Sequence, residues 1–328
     1  MSAIVLGEEE VARYLPMADC VEAMASVLAA LARGEAEMPL RSVLRAAGSA
    51  GFFGMMPAYR GGETPAYSLK AVCVFPGNPS RGLDSHQGVV VLFDGETGLP
   101  TALLNASAVT SIRTAAVTAL ATRLLARESA QTLAILGAGV QARAHVESLM
   151  LVRAFRSVRI FSPNADHARA LAESSAHHEA SFEVAPDARS ALEAADVVVT
   201  ATSSRTPVLE RDWLAAGAHV NAIGASVPSA RELDTATVAT SELFTDSRVS
   251  ISNEAGEFRL AIEEGAIEGL DHVRAELGEL LIGTHPGRSE AEAITLFRSL
   301  GLGVEDLAAA ELAVANARRD GGGTEVAL

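Results

Sequence analysis

The sequence has few cysteines, few aromatic residues and a deficit of basic charge. Its 328 residues include two cysteines, and 41 acidic against 26 basic side chains give a formal net charge of −15. Because so acidic a chain repels polyanions and has no run of Lys and Arg, binding to nucleic acid or to an acidic membrane surface is disfavoured. Cys20 and Cys73 do not form a CxxC or Cys/His spacing. We therefore expect neither a metal centre nor a disulfide scaffold.

Long apolar runs and a recognisable targeting segment are also missing. The N-terminus has no basic stretch before its short apolar run, which disfavours a secretory signal. The charge-poor stretch 213–230 contains Gly, Asn, Ser and Pro and lacks the apolar continuity of a membrane span. Hydrophobic residues nevertheless make up 49% of the chain, more than a disordered chain carries. These features predict a soluble, cytoplasmic protein of two domains with a large buried core.

The pattern of apolar residues changes along the chain. It predicts one amphipathic helix at the start, over 19–33. Short β-rich runs between 38 and 105 predict a mostly antiparallel sheet, with a hairpin closed at 94–98. A long helix follows over 110–127, and strands then alternate with helices, which is typical of a parallel sheet in an α/β fold.

The C-terminal part of the chain returns to helical patterns. Helices are predicted over 251–265, over 272–283 and finally near 304–319. The tail that starts at Gly321 is expected to fray.

The sharpest local signal is a glycine-rich turn between an apolar strand and a helix. Gly137 permits the tight turn, Gly139 lets the backbone approach a pyrophosphate, and Ala142 allows close packing of helix on strand. The helix N-terminus then supplies positive potential. The alternative is a turn that serves packing alone. We predict the following cofactor-binding residues: Gly137, Ala138, Gly139, Val140, Gln141, Ser162, Asn164, Thr200, Ala201 and Thr202.

The choice between NADH and NADPH depends on the end of the second strand of this domain. That strand, 158–161, is followed by Ser162-Pro-Asn164, with no carboxylate at its tip for the ribose 2′-hydroxyl. Asp166 comes later and is expected to cap a helix. NADPH is thus slightly favoured, and use of both cofactors remains open.

Three cations are candidates for holding an anionic substrate. Arg41 and Lys70 fall inside predicted strands, and Lys70 shares its face with apolar neighbours. Arg113 falls in the first turn of the helix predicted from 110, where a cation opposes the helix macrodipole unless an anion accompanies it. The alternative for each is a snorkelling or salt-bridged side chain.

Several short motifs occur in a fixed order along the chain. They are Met38-Pro-Leu-Arg41, Gly54-Met-Met-Pro57, Ser68-Leu-Lys70, Ser85-His-Gln87, Ser111-Ile-Arg113-Thr-Ala-Ala116, Gly137-Ala-Gly-Val-Gln141, Asn221-Ala-Ile-Gly-Ala-Ser226, Arg231-Glu-Leu-Asp234 and Ser299-Leu-Gly-Leu-Gly303-Val-Glu-Asp306. Through them the chain resembles the ornithine cyclodeaminase and mu-crystallin family over almost its whole length.

The resemblance implies a domain arrangement and a carboxylate-binding set. It implies a homodimer with a discontinuous α+β domain for substrate binding and dimerisation, 1–115 plus 304–328. An NAD(P)-binding Rossmann domain, 116–303, accompanies it. In that family the residues that match Arg41, Lys70 and Arg113 hold the substrate carboxylate.

The sequence departs from the cyclodeaminases at two positions. Those enzymes carry a Glu before the Met-Pro pair and an Asp after the fifth Rossmann strand, where this chain has Gly54 and Ser226. Neither residue replaces a carboxylate in moving protons at amines. Mu-crystallin ketimine reductases have Ser in the Gly-Ala-Ser context found here, so the resemblance implies reduction of a cyclic imine acid.

The predicted reaction is hydride transfer from NADH or NADPH to the C=N carbon of pyrroline-2-carboxylate or piperideine-2-carboxylate, which yields L-proline or L-pipecolate. Arg41, Lys70 and Arg113 would bind the carboxylate, and Lys70 would also relay a proton. Ser226 would order a water or the imine nitrogen, and a plain turn serine is an equal alternative. The rival hypotheses are ornithine cyclodeamination, alanine dehydrogenase-type amino-acid dehydrogenation and a non-enzymatic, crystallin-like NADP-binding protein.

Overall fold

Two eight-stranded sheets organise the chain. The computed structural model describes residues 2–224 and 227–327, apart from the side chain of Pro79. The chain divides into unit 1, Met1–Thr114 with Gly301–Leu328, and unit 2, Ala115–Leu300. The domain limits expected from the sequence, 115/116 and 303/304, lie close to these two boundaries.

Unit 1 combines a mixed sheet with helices from both ends of the chain. Its elements are β1 (Ser2–Leu6), α1 (Glu8–Tyr14), α2 (Met17–Ala32), β2 (Ala36–Glu37), β3 (Ser42–Leu44), β4 (Phe52–Arg60), β5 (Ala66–Val74), β6 (His86–Asp94), β7 (Pro100–Asn105), the start of α3 (Ala106–Leu125), α11 (Gly303–Asp320) and β16 (Thr324–Ala327), with a short 3₁₀ helix at Asn78–Arg81. The strand order is β16-β1-β7-β6-β5-β4-β2, with β3 paired to β4. The strands from β4 to β7 are antiparallel, as predicted, whereas β1 is parallel to β7.

The two ends of the chain differ from the expectation. A strand and a helix precede α2, which itself begins at Met17, and the tail expected to fray forms β16 along β1. Both strands are short and are stabilised by pairing with distant partners, which local patterns do not reveal. Among the described residues no single helix is long and apolar enough to cross a membrane. Only α1 with α2, bent by 79°, meets those criteria as a pair.

Unit 2 is a doubly wound parallel α/β domain. Its elements are β8 (Thr132–Leu136), α4 (Val140–Met150), β9 (Ser157–Phe161), α5 (Ala165–Ser174), β10 (Ser181–Val184), α6 (Ala188–Leu192), β11 (Val197–Thr200), β12 (His219–Ala222), α7 (Thr235–Thr240), β13 (Glu242–Thr245), α8 (Arg248–Glu254), α9 (Gly256–Glu263), β14 (Val273–Glu276), α10 (Leu277–Leu281) and β15 (Thr295–Arg298), with 3₁₀ helices at Arg211–Trp213 and Leu270–His272. The strand order is β10-β9-β8-β11-β12-β15-β13-β14.

Two strands of unit 2 do not match the sequence prediction. The stretch expected to be helical over 272–283 contains β14 before the short α10. The strand β15, which the sequence interpretation did not include, lies between β12 and β13. Its four residues are all buried, and such a short run is not distinguishable from a buried helical segment by periodicity.

The central strands of unit 2 are buried on both faces. In β8 and β11 the residues alternate between two hydrophobic clusters, with Leu136 and Val198 in one and Ile135 and Val197 in the other. Uninterrupted apolar runs of this kind are typical of parallel strands covered by helices on both sides. This packing fixes the carboxyl ends of β8, β9 and β11 beside one another, where α/β proteins place their ligands.

Candidate functional site

The glycine turn of unit 2 has the backbone that a dinucleotide site needs. Gly137 has φ +119°, and a Cβ there would clash with the carbonyl oxygen of Ala201. Its N–H donates to the Phe161 carbonyl oxygen over 2.8 Å. Only glycine adopts this conformation at low cost so close to a neighbouring strand.

The first turn of α4 is open for a ligand. Among the residues that the structure describes, none places a heavy atom within 4 Å of a Cβ built at Gly139, the residue that precedes α4, and none caps the helix with its side chain. Val140 is 61% exposed although it is apolar. The buried Gln141 Oε1 has no hydrogen-bond partner among the described residues. The uncapped N–H groups and the unsatisfied amide oxygen fit a bound pyrophosphate and ribose.

The end of β9 brings Ser162 and Asn164 to the same edge of the sheet. Asn164, rather than the predicted Asp166, caps α5, because its side-chain oxygen accepts from the Asp166 N–H over 3.0 Å. The Asp166 carboxylate instead pairs with Arg169. The Asp166 carboxylate and the Arg169 guanidinium therefore bond each other, and neither is reserved for the adenosine ribose of a cofactor.

The end of β11 is held by a buried carboxylate that the sequence interpretation did not single out. Glu232 is fully buried, and its Oε1 accepts from the Thr202 N–H and hydroxyl, each over 2.7 Å. Its Oε2 accepts from the Thr200 hydroxyl over 2.9 Å and from the Gly224 N–H over 2.7 Å. Glu232 thus connects the carboxyl ends of β11 and β12. Burial raises its pKa, and the hydrogen bonds from Thr202 oppose that rise.

A buried ion pair lies behind this carboxylate. The Glu232 N–H donates to Glu257 Oε1 over 3.1 Å, and Glu257 Oε2 pairs with Arg298 Nε at 3.2 Å. Both charged side chains are 2% exposed. The segment that contains Thr200, Ala201 and Thr202 is therefore supported by two layers of polar contacts.

Two of the three predicted substrate cations come together in unit 1. Lys70, on β5, and Arg113, on α3, both bond Asp306 near the start of α11, with Lys70 Nζ at 2.9 Å and Arg113 Nε at 3.0 Å from Oδ1. Arg113 Nη1 also pairs with Glu305 Oε2 at 2.7 Å. The two carboxylates are fully buried, and the cations are nearly so.

The third predicted cation, Arg41, bonds a backbone carbonyl next to Arg113. Arg41 donates to the Gly301 carbonyl oxygen over 2.9 Å. Gly301 has φ +75°, and a Cβ there would run into the guanidinium of Arg113. Gly301 therefore links Arg41 to Arg113, and we call Arg41, Lys70 and Arg113 the cation cluster.

Two positional expectations for the cation cluster are wrong. Arg41 precedes β3 instead of lying within a strand. Arg113 is not in a first helical turn, since α3 starts at Ala106, where the Asn105 side chain accepts from the Ala108 N–H over 2.9 Å. The macrodipole therefore does not oppose Arg113, and the α11 carboxylates Glu305 and Asp306 supply its partners.

The environment of Lys70 changes its proton affinity. Burial lowers its pKa to about 8, although the Asp306 carboxylate opposes the shift and Arg113 adds to it. A lysine of this kind is largely protonated at pH 7 and releases its proton more readily than an exposed one. Such a group is suited to proton transfer in a substrate pocket.

Gly54 lies on the same face of the sheet as Lys70. It pairs with Val72 in β5, two residues from Lys70, and both Val72 and Lys70 are buried on that face. A Cβ at Gly54 would lie 3.7 Å from the Val72 side chain, an ordinary contact. The space therefore admits a side chain, but the chain provides no carboxylate there. The other departure from the cyclodeaminases, Ser226, lies outside the described residues.

Glu232, Glu305 and Asp306 are the residues to which sequence reasoning assigned no role. Each belongs to a motif that was recognised only by its resemblance, Arg231-Glu-Leu-Asp234 or Val304-Glu-Asp306. The signal that would have found them is an acidic residue inside an apolar segment, because buried carboxylates require partners.

Known proteins resemble this chain in sequence and in fold. The chain belongs to the ornithine cyclodeaminase/mu-crystallin family, whose model matches residues 1–321. The ketimine reductase mu-crystallin of Mus musculus is 38% identical over 279 residues, 85% of each chain.

Two solved structures have the same fold over nearly the whole chain. The Thermococcus litoralis Δ1-pyrroline-2-carboxylate reductase, in complex with NADH and L-proline, is 34% identical with a TM-score of 0.94, covering 98% of this chain and 100% of that one. An archaeal alanine dehydrogenase dimer with bound NAD is 32% identical, also with a TM-score of 0.94, over 100% of both chains. The α/β class with a Rossmann-type domain is confirmed, and a nicotinamide cofactor is supported without a preference between NAD and NADP.

Proposed function

We propose that this protein is an NAD(P)H-dependent reductase of cyclic ketimine acids, which converts pyrroline-2-carboxylate or piperideine-2-carboxylate into L-proline or L-pipecolate. The observation that carries the proposal is the cation cluster around Asp306, with a buried lysine whose pKa is lowered to about 8. A carboxylate-binding group and a proton source are thereby placed together. Relatives and solved neighbours that reduce C=N bonds support this assignment.

Each member of the cation cluster has a role in the proposal. Arg41 and Arg113 bind the substrate carboxylate and orient the ring. Lys70 contacts the same carboxylate and provides the proton that the imine nitrogen needs when its carbon accepts a hydride. Asp306 and Glu305 position these cations in the absence of substrate. Ser226 keeps its predicted role as a group that orders the imine nitrogen or a water.

The cofactor-binding residues follow the edge of the parallel sheet in unit 2. The turn from Gly137 to Gln141 holds the pyrophosphate, and Ser162 lies toward the adenosine ribose. Ala201 and Thr202 follow β11, where Glu232 fixes the backbone. The bound cofactor supplies the hydride. We keep NADPH as the slightly preferred form, since Ser162-Pro-Asn164 offers no carboxylate for a 2′-hydroxyl.

The proposal disfavours cyclodeamination on a structural ground. A distal ammonium needs a carboxylate partner when it is buried. Gly54 faces the same side of the sheet as Lys70 and supplies none. The similarity to an alanine dehydrogenase keeps amino-acid dehydrogenation as the second candidate.

The test is to follow oxidation of NADH and of NADPH separately with pyrroline-2-carboxylate, piperideine-2-carboxylate, pyruvate plus ammonium, and ornithine. We expect turnover with a cyclic imine acid and none with ornithine. Turnover only with pyruvate and ammonium would establish the dehydrogenase instead. Ammonia release from ornithine with catalytic NAD would establish the cyclodeaminase, and tight cofactor binding with no turnover would favour a crystallin-like protein.

One variant and one pH profile test the residue assignments. Arg113→Ala should raise the apparent KM for the imine acid and leave the Kd of the cofactor unchanged, with Arg60→Ala as the control from the same unit. An unchanged KM would refute the carboxylate assignment. If Lys70 supplies the proton, kcat should decline above about pH 8, because the ammonium deprotonates there.

We also propose that the protein is a homodimer formed by the open face of the unit 1 sheet. Along β5 the residues that alternate with Lys70 are exposed or half-buried, and they point away from α11, which bonds Lys70. Paired residues on β4 and β6 continue this apolar face. Its members include Met55, Pro57, Tyr59, Tyr67, Leu69, Ala71, Cys73, Val89 and Val91. A continuous apolar sheet face of this kind is typical of a protein interface.

The dimer proposal is tested at the centre of this face. Leu69→Glu should convert a dimer into a monomer in light scattering, because it buries a charge in the interface. Glu183→Lys, an exposed change in unit 2, serves as the control. Dimers that persist in Leu69→Glu would refute this interface.

The free thiols Cys20 and Cys73 support our proposal of a cytoplasmic location.

A further inference from the structure

A cluster of three metal-ligand side chains lies in unit 2 away from the cofactor turn. Glu147 is on α4, and His177 and His178 follow the end of α5. His178 Nε2 lies 3.3 Å from Glu147 Oε2, and His177 Nε2 lies 3.6 Å from Glu147 Oε1. One ligand atom from each residue falls within 4.8 Å of the other two.

The two imidazoles are prepared to act as ligands. His177 Nδ1 lies 3.1 Å from the Ser174 carbonyl oxygen. A carbonyl only accepts, so Nδ1 carries the hydrogen and Nε2 of the neutral ring keeps its lone pair. Metal-bound histidines are commonly oriented by such a second hydrogen bond. His178 Nε2 is buried and makes no hydrogen bond among the described residues.

The spacing and the atom types select the ion. Zn²⁺ binds imidazole nitrogen and carboxylate oxygen at about 2.0–2.2 Å in a tetrahedron, which separates ligand atoms by about 3.3–3.5 Å. The two histidine nitrogens lie close to such distances from two different oxygens of Glu147, 3.6 Å for His177 and 3.3 Å for His178, and one ligand atom from each residue lies within 4.8 Å of the other two. Two nitrogen ligands disfavour Ca²⁺ and Mg²⁺, which prefer oxygen.

We propose that Glu147, His177 and His178 form a zinc site, with the fourth position open to water. The ion would join α4, which begins at the dinucleotide turn, to the segment that follows α5. It would therefore stabilise unit 2 without taking part in the reaction. Cysteine spacing carries no signal of this site, because none of its three ligands is a cysteine.

The experiment uses tag-free, full-length protein that has been freed of metal with a chelator. Calorimetric titration with ZnCl₂ should show one site, and the thermal midpoint should rise with Zn²⁺ but not with MgCl₂. His178→Ala and Glu147→Gln should each weaken zinc binding by about tenfold or more, since even outer-shell changes weaken metal sites by 10–100-fold. The matched control is His167→Ala, which removes an exposed histidine from α5 and should bind zinc like the parent protein.

Two results would overturn the proposal. One is zinc binding of equal affinity in the parent and in the Glu147→Gln/His177→Ala/His178→Ala variant. The other is the absence of a saturable site in the parent at 100-fold excess of Zn²⁺ over protein. Circular dichroism of the metal-free variants, matched to the metal-free parent, separates lost ligands from lost folding. Imine reduction in the metal-free protein is measured independently, so failure here does not bear on the proposed function.

Discussion

Unit 1 and unit 2 each bury carboxylates, but they satisfy them differently. Asp306 in unit 1 is surrounded by the cations Lys70 and Arg113. Glu232 in unit 2 accepts from neutral donors among the described residues, two N–H groups and two hydroxyls. A charged partner can be exchanged for an incoming anion, whereas neutral donors from the ends of two strands fix the conformation of the chain.

The difference matches the tasks proposed for the two units. A pocket for a carboxylic acid must offer its cations to a ligand, and the α11 carboxylates keep them charged and oriented until then. A cofactor edge must hold one backbone shape, and Glu232 holds the ends of β11 and β12 together. Asp306 and Glu232 are thus equally buried, but we assign them different functions.

The largest effect is expected on removal of Asp306. Asp306→Ala leaves Lys70 and Arg113 buried without a shared partner, and breaking a buried pair costs about 3–5 kcal/mol. We expect a loss of that size in the free energy of unfolding, measured by urea titration. The control is Glu311→Ala on the same helix. Its pair with Arg60 is about one-quarter exposed, and its loss should cost no more than about 1 kcal/mol. Equal losses of unfolding free energy in the two variants would contradict the distinction between a fully buried and a partly exposed ion pair.

The next effect tests the neutral donors around Glu232. In Glu232→Gln the new amide N–H must face a backbone N–H whichever way it turns, because Thr202 N and Gly224 N bond different oxygens. An unsatisfied buried donor costs about 1–3 kcal/mol. We expect that loss in urea unfolding, together with a raised KM for the nicotinamide cofactor. Glu183→Gln, an exposed change on β10, should alter unfolding by no more than about 0.5 kcal/mol. An unchanged free energy of unfolding in Glu232→Gln would contradict this arrangement of donors.

Two buried histidines of unit 2 make its stability depend on pH below neutrality. Burial lowers the pKa of His145 to about 4 and that of His219 to about 3, whereas an unfolded histidine titrates near 6.5. The unfolded state therefore binds more protons as the pH falls below 6.5, and unit 2 loses stability there. Each histidine should contribute about 2 kcal/mol of loss by pH 5. His145→Gln should reduce the difference in unfolding free energy between pH 7.5 and pH 5, and an unchanged difference would contradict its burial as a neutral base.

Local patterns were sufficient for the parts of the fold whose geometry is local. The turn from Gly137 to Ala142 is recognisable in the sequence because its strand, glycines and helix are consecutive. The position of Lys70 on a buried face followed from the alternation of β5.

The remainder depends on contacts between distant residues. The strand β15 lies inside its sheet, but its four buried residues are too few to show the period of a strand. Lys70 meets Asp306 across 236 positions of sequence, and Thr200 meets Glu232 only after β11 and β12 have paired. The family resemblance located those acidic residues in motifs, but only the tertiary structure identifies their partners.

The smallest effect separates two roles for Thr200, which the sequence analysis assigned to the cofactor site. Its hydroxyl donates to Glu232 and the residue is fully buried, so we expect it to support the backbone of the cofactor site without contact to the cofactor. Thr200→Val preserves its shape and removes one hydrogen bond, which should cost about 1 kcal/mol in urea unfolding. The Gly224 N–H still bonds the same oxygen, so the KM for the cofactor should stay unchanged. A KM raised severalfold with no loss of stability would instead show that the hydroxyl serves the cofactor directly.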